Sequence, residues 1–241
     1  MDYSDKVGKA IQHFWKVRSK QYQDQGAGSG VKDHGSRAAV TGGKHLHGFI
    51  DLFAELLSEA GLPDSTIHTK KTTLPGYFRA TKKWDLVVVV DDLLLASIEF
   101  KAHVGSLGNN QNNRVEEALG NATDILTAYR EGKFKPSAKP WLGWLMLFED
   151  SPQSRAGGKK VLEPHFDVFP EFKDAPYTKR YELLCERLMR ERLYDATCLL
   201  LSNETIGLKG GYSEPSEEIG FRTFATSLLA HATAFSNMRR G

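Results

Sequence analysis

The sequence predicts an α/β fold in which a mixed central sheet is flanked by helices on both faces. Its predicted strands are continuous apolar runs, such as residues 86–90 and 141–148, without the polar alternation of a half-exposed sheet. Amphipathic segments lie between these runs, and no internal repeat or low-complexity linker divides the chain. We therefore expect a single domain over 1–241, made of an N-terminal helix and glycine-rich loop (1–44), a core (45–150) and a C-terminal strand and helix extension (151–241).

Hydrophobic periodicity and turn residues divide the chain into elements. The apolar runs 84–90 and 93–101 flank a tight turn at Asp91-Asp92, which predicts a β-hairpin. The other predicted elements, in chain order, are helices over 5–23, 45–60 and 113–130, a strand over 141–148, a helix over 177–194, a strand over 197–202 and a helix over 217–236. The central order is therefore helix, hairpin, helix, strand, helix, strand.

The composition excludes several classes of protein. Charged residues make up 26% and apolar residues 40% of the 241 residues, as in soluble globular proteins. No apolar run approaches the roughly 20 residues of a membrane helix, and the N-terminus lacks an apolar signal core. The two cysteines, Cys185 and Cys198, lie in apolar segments, which fits reduced thiols. We therefore expect a cytoplasmic protein that has no membrane partner.

Positive charge is concentrated in two segments, although the net charge is only +2. Residues 65–84 carry five basic residues and no acid, and residues 1–50 carry eight Lys/Arg against four Asp/Glu. Local positive potential of this kind attracts a polyanion, although a solvated basic face would have the same composition. Lys70 and Lys71 are therefore candidate contacts to nucleic acid.

Three charged residues are predicted to converge at one end of the hairpin. Asp85 begins the first strand and Glu99 lies near the end of the second, so arms of nearly equal length bring the two carboxylates together. Glu99 and Lys101 share a face of the strand, whereas Phe100 points toward the core. A salt-bridged surface hairpin is the structural alternative. Charged groups beside an apolar run favour a functional site instead.

These groups match the needs of metal-assisted phosphodiester hydrolysis. The carboxylates of Asp85 and Glu99 and the backbone carbonyl of Phe100 are oxygen ligands of the kind that Mg²⁺ prefers. Lys101 beside such an ion can orient and help deprotonate the attacking water, and it can stabilise charge on the phosphate.

The motif resembles the signature of the PD-(D/E)xK nucleases, with Pro75, Asp85 and Glu99-Phe-Lys101 in the corresponding places. The order of predicted elements also matches the core of that fold. Pro75 stands ten residues before Asp85, so the Pro and Asp are not contiguous here. More specifically, the chain resembles the XhoI restriction endonuclease family in the segments GSRAAVTGG (35–43), EFKAHVG (99–105), GNNQNNR (108–114) and EEALGNATD (116–124).

This resemblance covers nearly the whole chain and carries functional implications. It implies a homodimeric type II restriction endonuclease that uses Mg²⁺, with Mn²⁺ as a substitute. The substrate would be double-stranded DNA cut at the palindrome CTCGAG, with 5′-phosphate and 3′-hydroxyl ends. In nucleases of this class an acid from the preceding helix often completes the metal site, and Glu55 is our choice for that position. A solvated helix face is the alternative for Glu55.

The asparagine-rich stretch after the hairpin is a candidate DNA contact. It opens a predicted helix, and amide side chains can pair with bases while a helix N-terminus binds phosphate. A simple capping cluster is the alternative. The expected contacts are from Asn109, Asn110, Asn112, Asn113 and Arg114, the last to a phosphate. Glu116 and Glu117 are expected only to stabilise the helix dipole.

The glycine-rich loop over residues 25–43 is a second candidate. Loops of this length in compact domains are usually functional or disordered. We expect Lys32, Arg37 and Lys44 to contact DNA, with Arg37 on a guanine and Lys44 on a phosphate. A mobile loop with solubilising charge is the alternative.

Other sites are not supported by the sequence. His45 and His47 diverge by about 200° on a helix and cannot share a metal ion. Gly43-Lys44 lacks the surrounding pattern of a nucleotide-binding loop, so no nucleotide cofactor is expected. Two alternative functions stay open: a structure-specific repair or junction-resolving nuclease of the same fold, and a non-catalytic DNA-binding relative.

Overall fold

The computed structural model describes residues 2–28, 44–157, 163 and 165–240. The helices and strands, in chain order, are α1 (Ser4–Gly28), α2 (His47–Glu59), β1 (Ile67–His68), β2 (Thr73–Pro75), β3 (Thr81–Lys83), β4 (Leu86–Val90), β5 (Leu93–His103), α3 (Leu107–Arg130), β6 (Trp141–Glu149), α4 (Pro152–Arg155), α5 (Tyr177–Arg190), β7 (Ala196–Ser202), α6 (Glu204–Gly207) and α7 (Phe221–Arg240). Within these ranges, no helix is both long and apolar enough to cross a membrane.

The central sheet has five strands in the order β1-β4-β5-β6-β7. β4 pairs antiparallel with β1 and β5, whereas β6 pairs parallel with β5 and β7. The predicted α/β class with a mixed central sheet is therefore confirmed. The strands β2 and β3 form a separate antiparallel hairpin, in which Leu74 pairs with Lys82.

Two hydrophobic cores lie on opposite faces of the sheet. On one face α1, α2 and α7 pack against the strands, and the ring of Phe53 in α2 lies 5.5 Å from that of Phe100 and 5.2 Å from that of Phe221. On the other face α3 and α5 bury residues such as Ala118 and Tyr181. From Ala96 onward, successive residues of β5 therefore face different helices, and this fixes the direction in which each of these side chains points.

β4 and β5 form the hairpin predicted from the sequence. Its turn residues Asp91 and Asp92 both have positive φ angles, of 47° and 62°. Two consecutive residues in this region give a two-residue turn whose twist matches that of the flanking strands. Aspartate tolerates this conformation better than most residues that carry a side chain, so the turn forms without glycine.

The ladder of this hairpin contains one irregularity. Leu86 pairs with Ile98, but a shift in the middle of β4 leaves β5 with one more residue than its partner strand. Continued one residue beyond the Leu86–Ile98 pair, the ladder sets Asp85 opposite Glu99. Bulges of this kind are often found beside functional sites.

Several elements differ from the sequence prediction. α3 begins at Leu107 and not at 113, because packing of the helix overrides the low helix propensity of its asparagines. α5 ends at Arg190 and α7 begins at Phe221, so both are shorter at one end than predicted. β1, β2 and β3 are missing from the sequence prediction, since strands of two or three half-exposed, partly basic residues carry no apolar pattern.

Candidate active site

The structure brings together the three groups that the sequence places at the end of the hairpin. Asp85 directly precedes β4, and Glu99 and Lys101 lie on β5. The Lys101 ammonium lies 2.6 Å from Oε1 of Glu99. The backbone N–H of Phe100 donates a hydrogen bond of 2.7 Å to Oδ2 of Asp85. Both carboxylates are thus fixed by groups of the same short stretch of β5.

Side chains alternate between the two faces of the sheet along β5, and this determines which residues face the site. The ring of Phe100 points into the core beneath α2, where it stacks 6.4 Å from Phe49. Glu99 and Lys101 point to the opposite face, toward α3. Glu99 is only 4% exposed, so its charge lies in a largely dry environment. A buried carboxylate in such a place needs compensating charge or hydrogen bonds.

A second lysine supplies part of that compensation. Lys82 of β3 donates a hydrogen bond of 2.7 Å to Oε2 of Glu99, so each oxygen of this carboxylate contacts a different ammonium. The Lys82 ammonium also lies 4.7 Å from the ring centre of Trp84. In the sequence, Lys82 stands out only as one of the five basic residues of the segment over residues 65–84. The signal that could have singled it out is its place next to Trp84 and Asp85.

Glu117 of α3 also lies beside the site. Its Oε2 is 3.6 Å from the Lys101 ammonium and accepts a hydrogen bond of 2.6 Å from Arg114. The prediction that Glu116 and Glu117 stabilise the helix dipole in the first turn is wrong, because α3 begins at Leu107 and its first turn holds no acid. Glu117 is instead an acid of the third turn that faces Lys101.

Burial and charge shift the acid–base behaviour of these groups. Burial, followed by the neighbouring Glu99 carboxylate, raises the pKa of Asp85 to about 6, against partial opposition from the Phe100 N–H and the lysines. Burial lowers the pKa of Lys101, but Glu99 outweighs it and the net pKa lies above the usual value. Lys101 is therefore a charged ammonium at neutral pH. It has no lone pair with which to take a proton, so it can orient a water and stabilise negative charge.

The residues present fit a hard divalent cation. Asp85 and Glu99 offer carboxylate oxygens and Phe100 offers a backbone carbonyl, and Mg²⁺ and Mn²⁺ prefer oxygen ligands. Burial, followed by the neighbouring Glu99 carboxylate, disfavours the ionised form of Asp85, and a bound cation would favour it. In the part of the chain that the structure describes, no group of three or more His, Cys, Asp or Glu forms a metal cluster.

Glu55 is not brought together with these residues. Its carboxylate lies 3.0 Å from the ammonium of Lys6, which also contacts Glu59 at 2.6 Å, so Glu55 links α2 to α1. α2 packs on the face of the sheet opposite to Glu99 and Lys101. These contacts lend no support to the prediction that Glu55 completes a metal site, because Glu55 pairs with a lysine of α1.

The predicted DNA contacts that the structure describes lie in two segments of the chain. Lys70 and Lys71 are exposed between β1 and β2, and Asn112 and Asn113 are exposed near the start of α3. Asn110 is half-buried there, and Arg114 pairs with Glu117. Other predicted contacts lie outside the described part of the structure, namely Lys32, Arg37 and the side chains of Lys44 and Asn109.

The fold and the site together define the class of protein. A mixed sheet that carries an Asp at the start of one hairpin strand and Glu-x-Lys on the next is the arrangement of the PD-(D/E)xK nucleases. The sequence model described as "Restriction endonuclease XhoI" matches residues 25–214. The chain therefore belongs to the XhoI family of restriction endonucleases. It is a type II restriction endonuclease, that is, a site-specific deoxyribonuclease.

Three similar proteins have been named as type II restriction enzymes. BstVI from Geobacillus stearothermophilus is 55% identical over 207 residues, which are 83% of this chain and 92% of that protein. XhoI from Xanthomonas vasicola is 41% identical over 192 residues, 78% of this chain and 76% of that protein. AbrI from Azospirillum brasilense is 46% identical over 168 residues, 68% of this chain and 74% of that protein. No solved structure matches the chain significantly.

Replacing Asp85 by Asn should stabilise the metal-free protein at alkaline pH. A folded-state pKa of about 6, above the ordinary 3.8, means that ionised Asp85 disfavours the folded state. In EDTA at pH 8, Asp85→Asn should raise the free energy of unfolding in urea by an amount on the order of 2 kcal/mol. The advantage should shrink as pH falls through 6 and vanish below 3.8, where both states bind the proton. Asp64→Asn, at an exposed position, is the control; equal stability of the wild type and Asp85→Asn at pH 8 would contradict the assignment.

Proposed function

We propose that this restriction endonuclease hydrolyses double-stranded DNA at the palindrome CTCGAG in a reaction that depends on Mg²⁺, with Mn²⁺ as a substitute. The products would carry 5′-phosphate and 3′-hydroxyl ends. The observation that carries the chemistry is the cluster of Asp85, Glu99 and Lys101, in which two carboxylates lie beside a lysine ammonium. The similarity to the XhoI family supports the choice of site. The substrate and the end chemistry fit an oxygen-only metal site.

In this proposal each residue of the cluster has a separate task. Asp85, Glu99 and the carbonyl of Phe100 hold the cation, and Lys101 orients the attacking water. When bound, Mg²⁺ would lower the pKa of a coordinated water and neutralise charge on the phosphate. The ammonium of Lys101 stabilises the negative charge that grows on the phosphate oxygens during attack. A role for Glu55 stays a prediction without a supporting contact.

The DNA would lie across the face that carries the positive charge. Lys70, Lys71 and Arg114 are suited to phosphates, and the exposed amides of Asn112 and Asn113 are suited to base edges. We also propose that residues 1–241 act as one nuclease domain in the cytoplasm, where cellular DNA is accessible. The enzyme would act as a homodimer, because a palindrome presents the same half-site twice to a two-fold symmetric protein.

Digestion of DNA of known sequence tests the proposed specificity. Plasmid incubated with the enzyme and Mg²⁺ or Mn²⁺ should give discrete fragments whose ends map to CTCGAG. Enzymatic ligation without prior phosphorylation should succeed, since the ends carry 5′-phosphate. Cleavage should stop in EDTA, and Ca²⁺ should allow binding without turnover because it activates water poorly. A smear, cutting only at branched DNA, or efficient cleavage in EDTA would each contradict the proposal.

Alanine variants of the cluster should separate cleavage from binding. Asp85→Ala, Glu99→Ala and Lys101→Ala should each lower the cleavage rate by at least about 10³-fold, because each loses either a metal ligand or the ammonium beside the phosphate. Gel-shift affinity for the CTCGAG duplex should survive in all three, since specific binding depends on other contacts, and the loss of a carboxylate in Asp85→Ala and Glu99→Ala also removes repulsion from phosphate. Asp64→Ala, away from the cluster, should cleave as the wild type does. Near-normal cleavage by Glu99→Ala would remove this active site from consideration.

The mass of the complex tests the proposed dimer. Sedimentation of the enzyme with a duplex that holds one CTCGAG site, in Ca²⁺, should yield two protein chains per duplex. The same measurement on a duplex of scrambled sequence provides the control. One chain per cognate duplex at saturation would exclude the symmetric arrangement.

A further inference from the structure

The tip of the β2–β3 hairpin presents two aromatic side chains to solvent. Tyr77 is 54% and Phe78 71% exposed, although apolar rings of this size are usually buried. The two rings contact each other edge to face, with their centres 5.0 Å apart. They therefore form one continuous aromatic surface at the end of a small hairpin.

The backbone that carries these rings is held in place by α3. Oδ1 of the buried Asp124 accepts hydrogen bonds of 2.7 Å from the N–H groups of both Tyr77 and Phe78. Oδ2 of Asp124 accepts another of 2.7 Å from Nε of Arg79. Arg79 also donates to Oδ1 of Asn121 at 2.8 Å. One buried carboxylate thus fixes three successive residues of the tip.

The space beneath the tip has no room for a side chain at position 76. A Cβ atom added at Gly76 would lie 2.2 Å from Oδ2 of Asp124 and 2.8 Å from the carbonyl oxygen of Arg79, so only glycine fits. Burial raises the pKa of Asp124, but the hydrogen bonds from Arg79 and the tip backbone outweigh it and hold the net pKa below its usual value. The Asp124 carboxylate is therefore ionised at neutral pH and keeps its hydrogen bonds to the hairpin tip.

A rigid loop that exposes apolar rings is preorganised for a ligand. Ordering the loop in the free protein removes an entropic cost from binding. Nothing is gained in the free protein from the exposed rings themselves, since water remains on them.

The surroundings of the tip suit a polyanionic ligand such as DNA. Arg79 and Lys82 of the basic segment over residues 65–84 pair with Asp124 and Glu99, whereas its other three basic residues, Lys70, Lys71 and Lys83, are exposed, which suits a polyanion. Lys82, on the same hairpin, contacts Glu99 of the active site at 2.7 Å. Phe78 is four residues from Lys82, which at about 3.3 Å per residue is at most about 13 Å of strand. The backbone of the tip is thus joined to the active-site cluster through one short strand and the side chain of Lys82.

We propose that Tyr77 and Phe78 form a wedge that stacks on the bases of the duplex beside the cleaved phosphate and partly unstacks one base step. This inference rests on the proposed function, in which the substrate is duplex DNA. Lysines and arginines bind phosphates, whereas exposed aromatic rings gain most on the faces of bases. Because Asp124 already holds the backbone of both residues, little further backbone freedom is lost when the rings enter the stack.

Fluorescent base analogues test the wedge directly. 2-Aminopurine, which brightens when it is unstacked, is placed in turn at each position within and beside the CTCGAG site. The wild-type enzyme in Ca²⁺ should raise the fluorescence at one or two neighbouring positions. Phe78→Ala should abolish that rise and weaken cognate binding roughly 5- to 150-fold, the range typical of one lost base–aromatic contact. Tyr77→Ala should reduce both quantities in the same direction.

Two control variants separate stacking from other effects. Phe166→Ala removes an aromatic ring that is 89% exposed elsewhere in the chain and should leave affinity and fluorescence unchanged. Lys70→Ala should lower the dependence of affinity on salt by about one phosphate, whereas Phe78→Ala should leave that dependence intact. Because Phe78 is exposed, the Phe78→Ala variant should keep the melting temperature of the wild type. That measurement would exclude misfolding of the variant.

Other outcomes overturn the wedge. A fluorescence rise that persists in Phe78→Ala and Tyr77→Ala, or no rise at any position with an enzyme that cleaves at discrete sites, would show that the tip does not enter the stack. A loss of affinity without any fluorescence rise in the wild type would assign the rings to the outside of the duplex. Failure of the proposed function is distinguishable, since the wild type would then give no discrete cleavage at CTCGAG.

Discussion

The burial of Glu99 is the constraint on which the rest of the site depends. A carboxylate that is 4% exposed is tolerated because Lys101 and Lys82 each contact one of its oxygens. Lys101 comes from the same strand, but Lys82 comes from the small β2–β3 hairpin. The electrostatic need of one buried acid therefore fastens a peripheral hairpin to the central sheet. For this reason the basic segment over residues 65–84 is held beside the active-site cluster.

Helix α3 acts as the frame that joins this cluster to the hairpin tip. Arg114, Glu117, Asn121 and Asp124 are spaced by three or four residues and so lie along one side of the helix. The first pair contacts the Lys101 end and the second pair holds the aromatic tip. Helix α3 thus sets the distance between the active-site cluster and the aromatic tip of the β2–β3 hairpin.

Local patterns in the sequence reveal part of this arrangement and not the rest. The hairpin and the convergence of Asp85 with Glu99 are predictable, because both depend on residues close together in the chain and on strand alternation. Lys82 and Asp124 escape prediction, because their partners are Glu99 and the hairpin tip, which only tertiary packing brings near. The start of α3 is misplaced for a related reason: asparagines appear unfavourable until the helix that follows them is packed against the sheet.

The one-residue shift within the β4–β5 ladder has a consequence for how this hairpin can vary. Strict one-to-one pairing from the two-residue turn would set Asp85 opposite Ile98, and the extra residue of β5 moves it opposite Glu99. The number of residues in each arm of the hairpin therefore determines which residue of β5 lies opposite Asp85. Adding or deleting one residue in either arm would separate the two carboxylates unless the bulge were gained or lost with it. The two arms of this hairpin can therefore change length only together.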